Sequence, residues 1–258
     1  MSEIALSVQH VRKAFHGVVA VEDASFIVPE GSLTALIGPN GAGKTTLFNI
    51  ITNLYSTDSG EVELFGKRIN QKSSQEIAAM GMIRTFQTAR TFPTMTALEN
   101  VLVGSHLNTK ASGLMQMLWT PHAREEERRT RQKGEALLKM VGLAKFKDAP
   151  ASELPMGVQK ILEVIRAMMA RPRILLLDEP AAGLNDTETR ELSALLKAIK
   201  LAGITVLVVE HNMQLVMSVA DQVIALDAGK VICSGTPLQV RHNPQVIEAY
   251  LGRTELET

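Results

Sequence analysis

The chain has 258 residues, 45% of them hydrophobic and 21% charged, and its 27 basic and 27 acidic side chains cancel to a net charge of zero. That length suits one α/β unit with an inserted subdomain, and the apolar share supports a substantial core. The balanced charge removes the strongly basic footprint of a nucleic-acid binder, and one cysteine, Cys233, excludes an internal disulfide and suits a reducing compartment.

In chain order, the pattern predicts short strands over Ile4 to Val11 and Val18 to Val28, then Leu33 to Ile37 after the turn signal Pro29-Glu30-Gly31. A helix is expected from Lys44 to Thr52, with further strands at Glu61 to Phe65 and Met82 to Phe86. From Thr91 to about Ser152 the spacing becomes helical, clearest at Ala97 to Ser105 and Glu125 to Val141. The run AREEERRTRQKGE reads as a solvated helix face with opposite charges within one turn. Trp119, just before it, fits a core edge or a partner contact equally.

After Pro155, helix and strand alternate: Val158 to Ala170, Arg173 to Leu177, Thr187 to Leu201, Thr205 to Val209. A helix from Met213, strands near Val223 to Leu226 and Lys230 to Cys233, and two C-terminal helices complete the chain. Helices alternating with short apolar strands predict a parallel sheet covered on both faces. No apolar run approaches the roughly 20 residues that span a bilayer. The first residues, MSEIALSVQHVRKAF, lack the apolar stretch and cleavage site of a signal peptide, so any membrane role is expected to come through a partner.

Two motifs carry the chemistry. Gly38-Pro39-Asn40-Gly41-Ala42-Gly43-Lys44-Thr45, followed by Thr46, has P-loop spacing, follows a predicted strand and opens a helix. Gly41 and Gly43 permit backbone angles that let successive N–H groups converge on phosphate, and the helix adds its positive dipole end. Lys44 is expected to neutralise β and γ phosphates, and the Thr45 hydroxyl to ligate magnesium. Ile174 to Leu177 ends in Asp178-Glu179, acids at the carboxyl tip of a buried strand, where ligands collect in open α/β sheets. Asp178 is suited to magnesium, Glu179 to orienting and deprotonating the attacking water.

Together with LPMGVQKILEVIRAMMARPRILLLDEP from Leu154 to Pro180, these motifs resemble those of ABC-transporter ATPase subunits over nearly the whole chain. The resemblance implies a P-loop, RecA-like α/β core at 1–90 and 153–258, with a mostly parallel sheet, an N-terminal antiparallel β subdomain and a helical subdomain at 91–152. It implies that Gln87 is the Q-loop glutamine that contacts magnesium. It further implies that His211 is the switch histidine facing the γ-phosphate, that Gly183, Leu184, Asn185 and Asp186 form the D-loop, and that Phe15 stacks on adenine. Taken singly, Gln87 also reads as a surface polar residue, His211 as a helix cap and Phe15 as a core residue.

IRTFQTARTFPTMTALENVLVG, DEPAAGLN and NPQVIEAYLG resemble in particular the LivG type of branched-chain amino acid importers. That implies ATP and Mg2+ as cofactors, a LivF-type sister ATPase subunit, two transmembrane permease subunits, and a periplasmic binding protein acting indirectly. The place implied is the cytoplasmic face of the inner membrane, held there through the permeases. Relatives serving urea, aromatic acids or lipid, and non-transport ABC ATPases acting on nucleic acid or in translation, remain the alternatives.

The signature sequence LSGGQ is altered here to Leu154-Pro155-Met156-Gly157-Val158-Gln159. Pro155 lacks the serine hydroxyl that bonds a γ-phosphate oxygen. Hydrogen bonds to charged groups contribute about 1.5–3 kcal/mol, so closure on the site this motif completes is expected to weaken roughly tenfold to a hundredfold. Proline is tolerated in a first helical turn, so the helix is expected to persist and its N–H groups to face phosphate still.

Overall fold

The structure is a computed structural model that describes residues 3–85, 91–105 and 121–251. Its described residues form a ten-stranded sheet in the order β5-β4-β1-β2-β10-β9-β3-β8-β7-β6. The first part is antiparallel: β1 (Ile4–Phe15) pairs with β2 (Val18–Pro29) on one side and with β4 (Ser59–Leu64) on the other, and β5 (Lys67–Arg68) closes the edge. His16 and Gly17, at φ 47° and 89°, make the two-residue turn between β1 and β2. Two successive left-handed residues give a hairpin the twist its strands need.

β1 runs four residues past the expected Val11. Its pairing shifts register between Val8 and Val11 and again near Lys13, and such bulges break the alternation that would reveal the strand.

The rest of the sheet is the nucleotide-fold core. β3 (Leu33–Ile37) lies parallel between β8 (Thr205–Val209) and β9 (Gln222–Asp227), and β7 (Ile174–Asp178) joins β8 to β6 (Met82–Arg84), all parallel. β10 (Lys230–Gly235) returns antiparallel to β9 and bridges to β2. Every residue of β3, β7 and β8 is buried, so both faces of the central sheet are covered. The fold is therefore the mostly parallel α/β P-loop core with an antiparallel β part that the resemblance implied.

Helices follow the expected order with small shifts at their ends. They are α1 (Lys44–Ile51), α2 (Ser74–Ala79), α3 (Ala97–Val103), α4 (Pro121–Met140), α5 (Met156–Met169), α6 (Asp186–Leu201), α7 (Met213–Val219), α8 (Pro237–Arg241) and α9 (Pro244–Leu251). Helix α2 is an addition: its six residues are too few for a periodic signal. Ser73 and Glu76 nevertheless form a reciprocal capping box at its start, a spacing the sequence displays. Helix α4 begins at Pro121 instead of Glu125, with proline in the first turn where its missing N–H costs nothing. Its charge-rich stretch is exposed, and Glu125 pairs with both Arg128 and Arg129. Their hydrogen bonds hold the Glu125 carboxyl down at about 2.

The chain divides into two compact units, one of residues 1–84, 173–182 and 189–258, the other of 85–172 and 183–188. Within the second, α3 packs on α4 and α5. Gly134 lets α4 approach Leu98 and Leu102, because any Cβ there would press on both side chains. Helix α5 thus belongs with the helical unit, although the sequence expectation drew that segment only to residue 152. Trp119 lies outside the described residues.

Candidate functional site

The site is assembled by strand register. Leu36 on β3 pairs with Val209 on β8, and Val209 pairs with Asp178 on β7. Because these strands run parallel, whatever follows that row emerges at the same edge of the sheet. On β3 it is the loop from Gly38, on β7 Asp178 and Glu179, on β8 Glu210 and His211. This is the carboxyl edge where α/β sheets bind ligands.

The glycine loop is shaped by close approach. A Cβ at Gly38 would overlap the Leu226 carbonyl of β9, and one at Gly43 would overlap the Ala20 carbonyl of β2. Gly41 and Gly43 adopt φ of 79° and 98°, which L side chains rarely reach. Gly43 is the residue immediately before α1, so the loop feeds directly into that helix's N-terminus. The Lys44 ammonium is buried and donates to the carbonyls of Gly38 at 2.6 Å and Pro39 at 3.0 Å, which draws the cation into the loop. Thr45 is exposed in the first turn, and Ala42 is bound through its carbonyl to Gly229 N–H at 3.0 Å.

Asp178 is 3% exposed and makes an ion pair at 2.9 Å with Arg84 of β6. Glu179 follows in a left-handed conformation, φ 48°, and donates its N–H to the Val209 carbonyl at 2.9 Å. Glutamate does not favour that region, and such strained residues gather where a side chain must be aimed. Its carboxylate lies 3.9 Å from His211 Nδ1.

His211 is mostly exposed and does not cap the helix that follows. Asn212 does so, accepting from Leu215 N–H at 3.0 Å. Beneath it, Glu210 is fully buried and accepts N–H bonds from Ala181 at 2.8 Å and from His211 and Asn212 at 3.1 Å. Burial pushes its carboxyl above the ordinary 4.5, with those N–H bonds opposing. One carboxylate thus ties the segment after Glu179 to the histidine loop. Phe15 ends β1 and meets the Tyr55 ring edge-on at 5.3 Å, with the Lys13 ammonium 5.4 Å above it.

Sequence reasoning passed over Arg84, Glu210 and Asn212. Arg84 stood in a stretch quoted for its neighbours and Glu210 next to His211, and only the tertiary structure reveals what they touch. Gln87 lies outside the described residues.

In the helical unit the helix of the segment expected to be the signature starts two residues before the expected Val158. Helix α5 begins at Met156, so Pro155 is its N-cap, at φ −53° and ψ 150°, and lies before the first turn. Proline's fixed φ and its steric demand on the residue before it favour that extended entry over helix continuation. No side chain caps the helix, Gln159 N–H donates to the Pro155 carbonyl at 3.0 Å, and the Gln159 amide donates to the Leu154 carbonyl at 2.9 Å. Met156 is exposed and Val158 half-buried, while Gly157 is buried against the Glu188 carboxylate, where a Cβ would overlap. Glu188 in turn accepts from Asn185 N–H at 3.0 Å, and Asn185 Oδ1 accepts from the N–H groups of Thr187 and Glu188, so Gly183, Leu184, Asn185 and Asp186, the residues expected to form the D-loop, lead into a capped α6.

A glycine loop feeding a helix, an acidic strand tip and a histidine on one edge of a parallel sheet define a P-loop nucleoside triphosphatase. Comparison with known proteins narrows that class. The ABC transporter family matches residues 21–182, and the branched-chain amino acid ATP-binding cassette transporter family matches 230–255. The high-affinity branched-chain amino acid transport ATP-binding protein BraF of Pseudomonas aeruginosa is 43% identical over 98% of this chain and 99% of its own length. LivG of Escherichia coli, named for the same transport, is 40% identical over the same shares. A solved ATP-binding cassette of an ABC transporter in its ADP conformation superposes with a TM-score of 0.84 at 32% identity, covering 96% of this chain and 99% of that one. The chain belongs to the ABC transporter family, as an ATP-binding, ATP-hydrolysing subunit. Membership implies dimerisation and membrane permease partners. Among the described residues no helix is long and apolar enough to cross a membrane.

Proposed function

We propose that this chain powers an importer of branched-chain amino acids, paired with a LivF-type sister subunit on the cytoplasmic face of two permeases fed by a periplasmic binding protein. The observation that carries this reading is the match of residues 230–255 to a branched-chain family, and it is supported by a sheet edge that gathers the glycine loop, Asp178, Glu179 and His211. Urea, aromatic-acid and lipid transport are less favoured because none is named by these relatives.

In this reading the loop from Gly38 to Thr46 wraps the phosphates with backbone N–H groups, and Lys44 places its charge on the β and γ oxygens. Phe15, backed by Tyr55, offers a ring face to adenine. The Thr45 hydroxyl and the Asp178 carboxylate are hard oxygen donors of the kind magnesium selects, so the residues present fit that ion, with Gln87 as a further ligand. Magnesium, when bound, would supply positive charge that offsets the charge of the phosphates. Glu179 orients a water for in-line attack and takes its proton, and His211 donates to the γ-phosphate.

The segment Leu154 to Gln159 serves the site of the sister subunit. Its backbone N–H groups at the start of α5 still suit phosphate, but Pro155 offers no hydroxyl, so that site is the weaker of the two.

The test is a reconstituted transporter with its binding protein loaded in turn with leucine, urea or an aromatic acid. Stimulation of ATP turnover by leucine alone supports the reading, and stimulation only by another solute overturns the substrate. Glu-to-Gln changes made separately in this subunit and its sister then compare the two sites. Equal losses from both would overturn their inequality.

A further inference from the structure

Arg84 sits among the site's charged groups without a part in the chemistry described so far. Its strand position explains why it reaches the site. Arg84 pairs with Leu176, and Asp178 lies two residues further along β7, so both side chains project to the same face of the sheet. That face carries the last turn of α1. The guanidinium bridges the two: Nη2 donates to Asp178 Oδ2 at 2.9 Å, while Nη1 donates to Asn49 Oδ1 at 2.6 Å and Thr52 Oγ1 at 3.1 Å. Thr52 passes the bond on to the Phe48 carbonyl at 3.0 Å, and the Phe48 ring lies 5.1 Å beneath the cation. Arg84 and Asp178 are 11% and 3% exposed.

Neutralising a buried carboxylate needs only one cation contact, which a lysine could supply. Here the planar fork is engaged on both nitrogens and one face, and its rigid spacing fixes the separation between the end of α1 and the tip of β7. Helix α1 begins at Lys44 and Thr45, so the same helix carries the phosphate-binding residues at its other end. We propose that Arg84 is a positioning residue that locks the Asp178 carboxylate to the P-loop helix, so that the acid and the Thr45 hydroxyl meet magnesium-bound nucleotide as one preset pair. This inference rests on the reading of Asp178 and Thr45 as magnesium ligands.

The experiment measures ATP affinity of the full chain with magnesium and with EDTA, for wild type, Arg84→Met, Arg84→Lys and Asn49→Ala. Thermal unfolding is followed alongside. In Arg84→Met the gain in affinity given by magnesium should shrink about tenfold, the size expected for losing a charged hydrogen bond that orients a ligand, while affinity in EDTA stays within about twofold. Arg84→Lys should recover part of that gain. Asn49→Ala, which leaves the ion pair but loosens its anchor, should reduce the gain by roughly threefold. An undiminished magnesium gain in the Met variant, whatever its melting temperature, overturns the proposal. If that variant does not fold, an undiminished gain in both Arg84→Lys and Asn49→Ala overturns it instead. A wild type whose ATP affinity ignores magnesium would remove the underlying ligand reading, an outcome distinct from variants that merely match a magnesium-dependent wild type.

Discussion

The sheet edge and the start of α5 both face phosphate in the proposed mechanism, yet they are built by different means. At the edge, charged groups are buried and held several times over. Lys44 is bound by two loop carbonyls, Asp178 by Arg84, and Glu210 by the N–H groups of Ala181, His211 and Asn212. Glu179 is held in a left-handed backbone conformation within 3.9 Å of His211. At the helix start the segment Leu154 to Gln159 carries no charged side chain of its own, Met156 is exposed, and Pro155 contributes only its shape. What is preserved there is a glycine that fits against Glu188 and a helix terminus. In the proposed mechanism the two regions therefore differ in means: the helix start offers phosphate its backbone dipoles, whereas the sheet edge offers side chains fixed by burial and hydrogen bonds.

The largest expected effect separates these two regions directly. Glu179→Gln should lower ATP turnover in the assembled transporter by at least about a hundredfold, as for loss of a general base, with ATP binding retained. Phosphate release and nucleotide retention measure the two sides, and turnover within a factor of a few of wild type would move the base elsewhere. Next in size, Pro155→Ser should lower the ATP concentration needed for subunit pairing by roughly tenfold, by restoring a hydroxyl aimed at phosphate. Titration of dimer formation checks it, and no change would mean that backbone groups alone set that contact.

A smaller effect concerns packing. Gly157→Ala should destabilise the chain by about 1 kcal/mol, because the new methyl displaces the Glu188 carboxylate from the cap of α6. Denaturant unfolding reads it, and an unaltered midpoint would show that Glu188 yields without loss.

The smallest effect is a slope. Burial raises the Glu210 carboxyl above its ordinary 4.5, so the folded chain holds that proton more tightly than the unfolded one. The resulting stability is full below that ordinary value and is lost as pH rises through the raised one. Glu210→Gln should flatten stability against pH over this window, although one amide hydrogen then opposes a backbone N–H. Unfolding midpoints across the acid range test this, and an unchanged slope would assign the dependence to another group.

Much of this molecule was legible in its sequence because the signals were local. The span of β3, the start of α1 and the limits of β8 are written in short, mostly apolar runs bounded by turn residues and in a glycine loop. The capping box at Ser73 was equally local, but a helix of six residues gave it no periodic support. The far half of β1 was hidden by bulges, which move residues off the two-residue repeat.

The sequence by itself determined the family and the α/β class, and it singled out Lys44, Asp178 and Glu179 as candidates because they lie in contiguous motifs whose spacing is informative, with His211 added by the resemblance. Only the tertiary structure decided the rest. Arg84 reaches Asp178 across 94 positions and Asn49 across 35, and Glu210 reaches Ala181 across 29. Such contacts depend on which strands become neighbours and in what register, and neighbouring residues in the chain do not encode that pairing. Pro155 was visible from the first as a departure from the signature. Its exact place, as the N-cap residue of α5, followed from how the chain enters that helix.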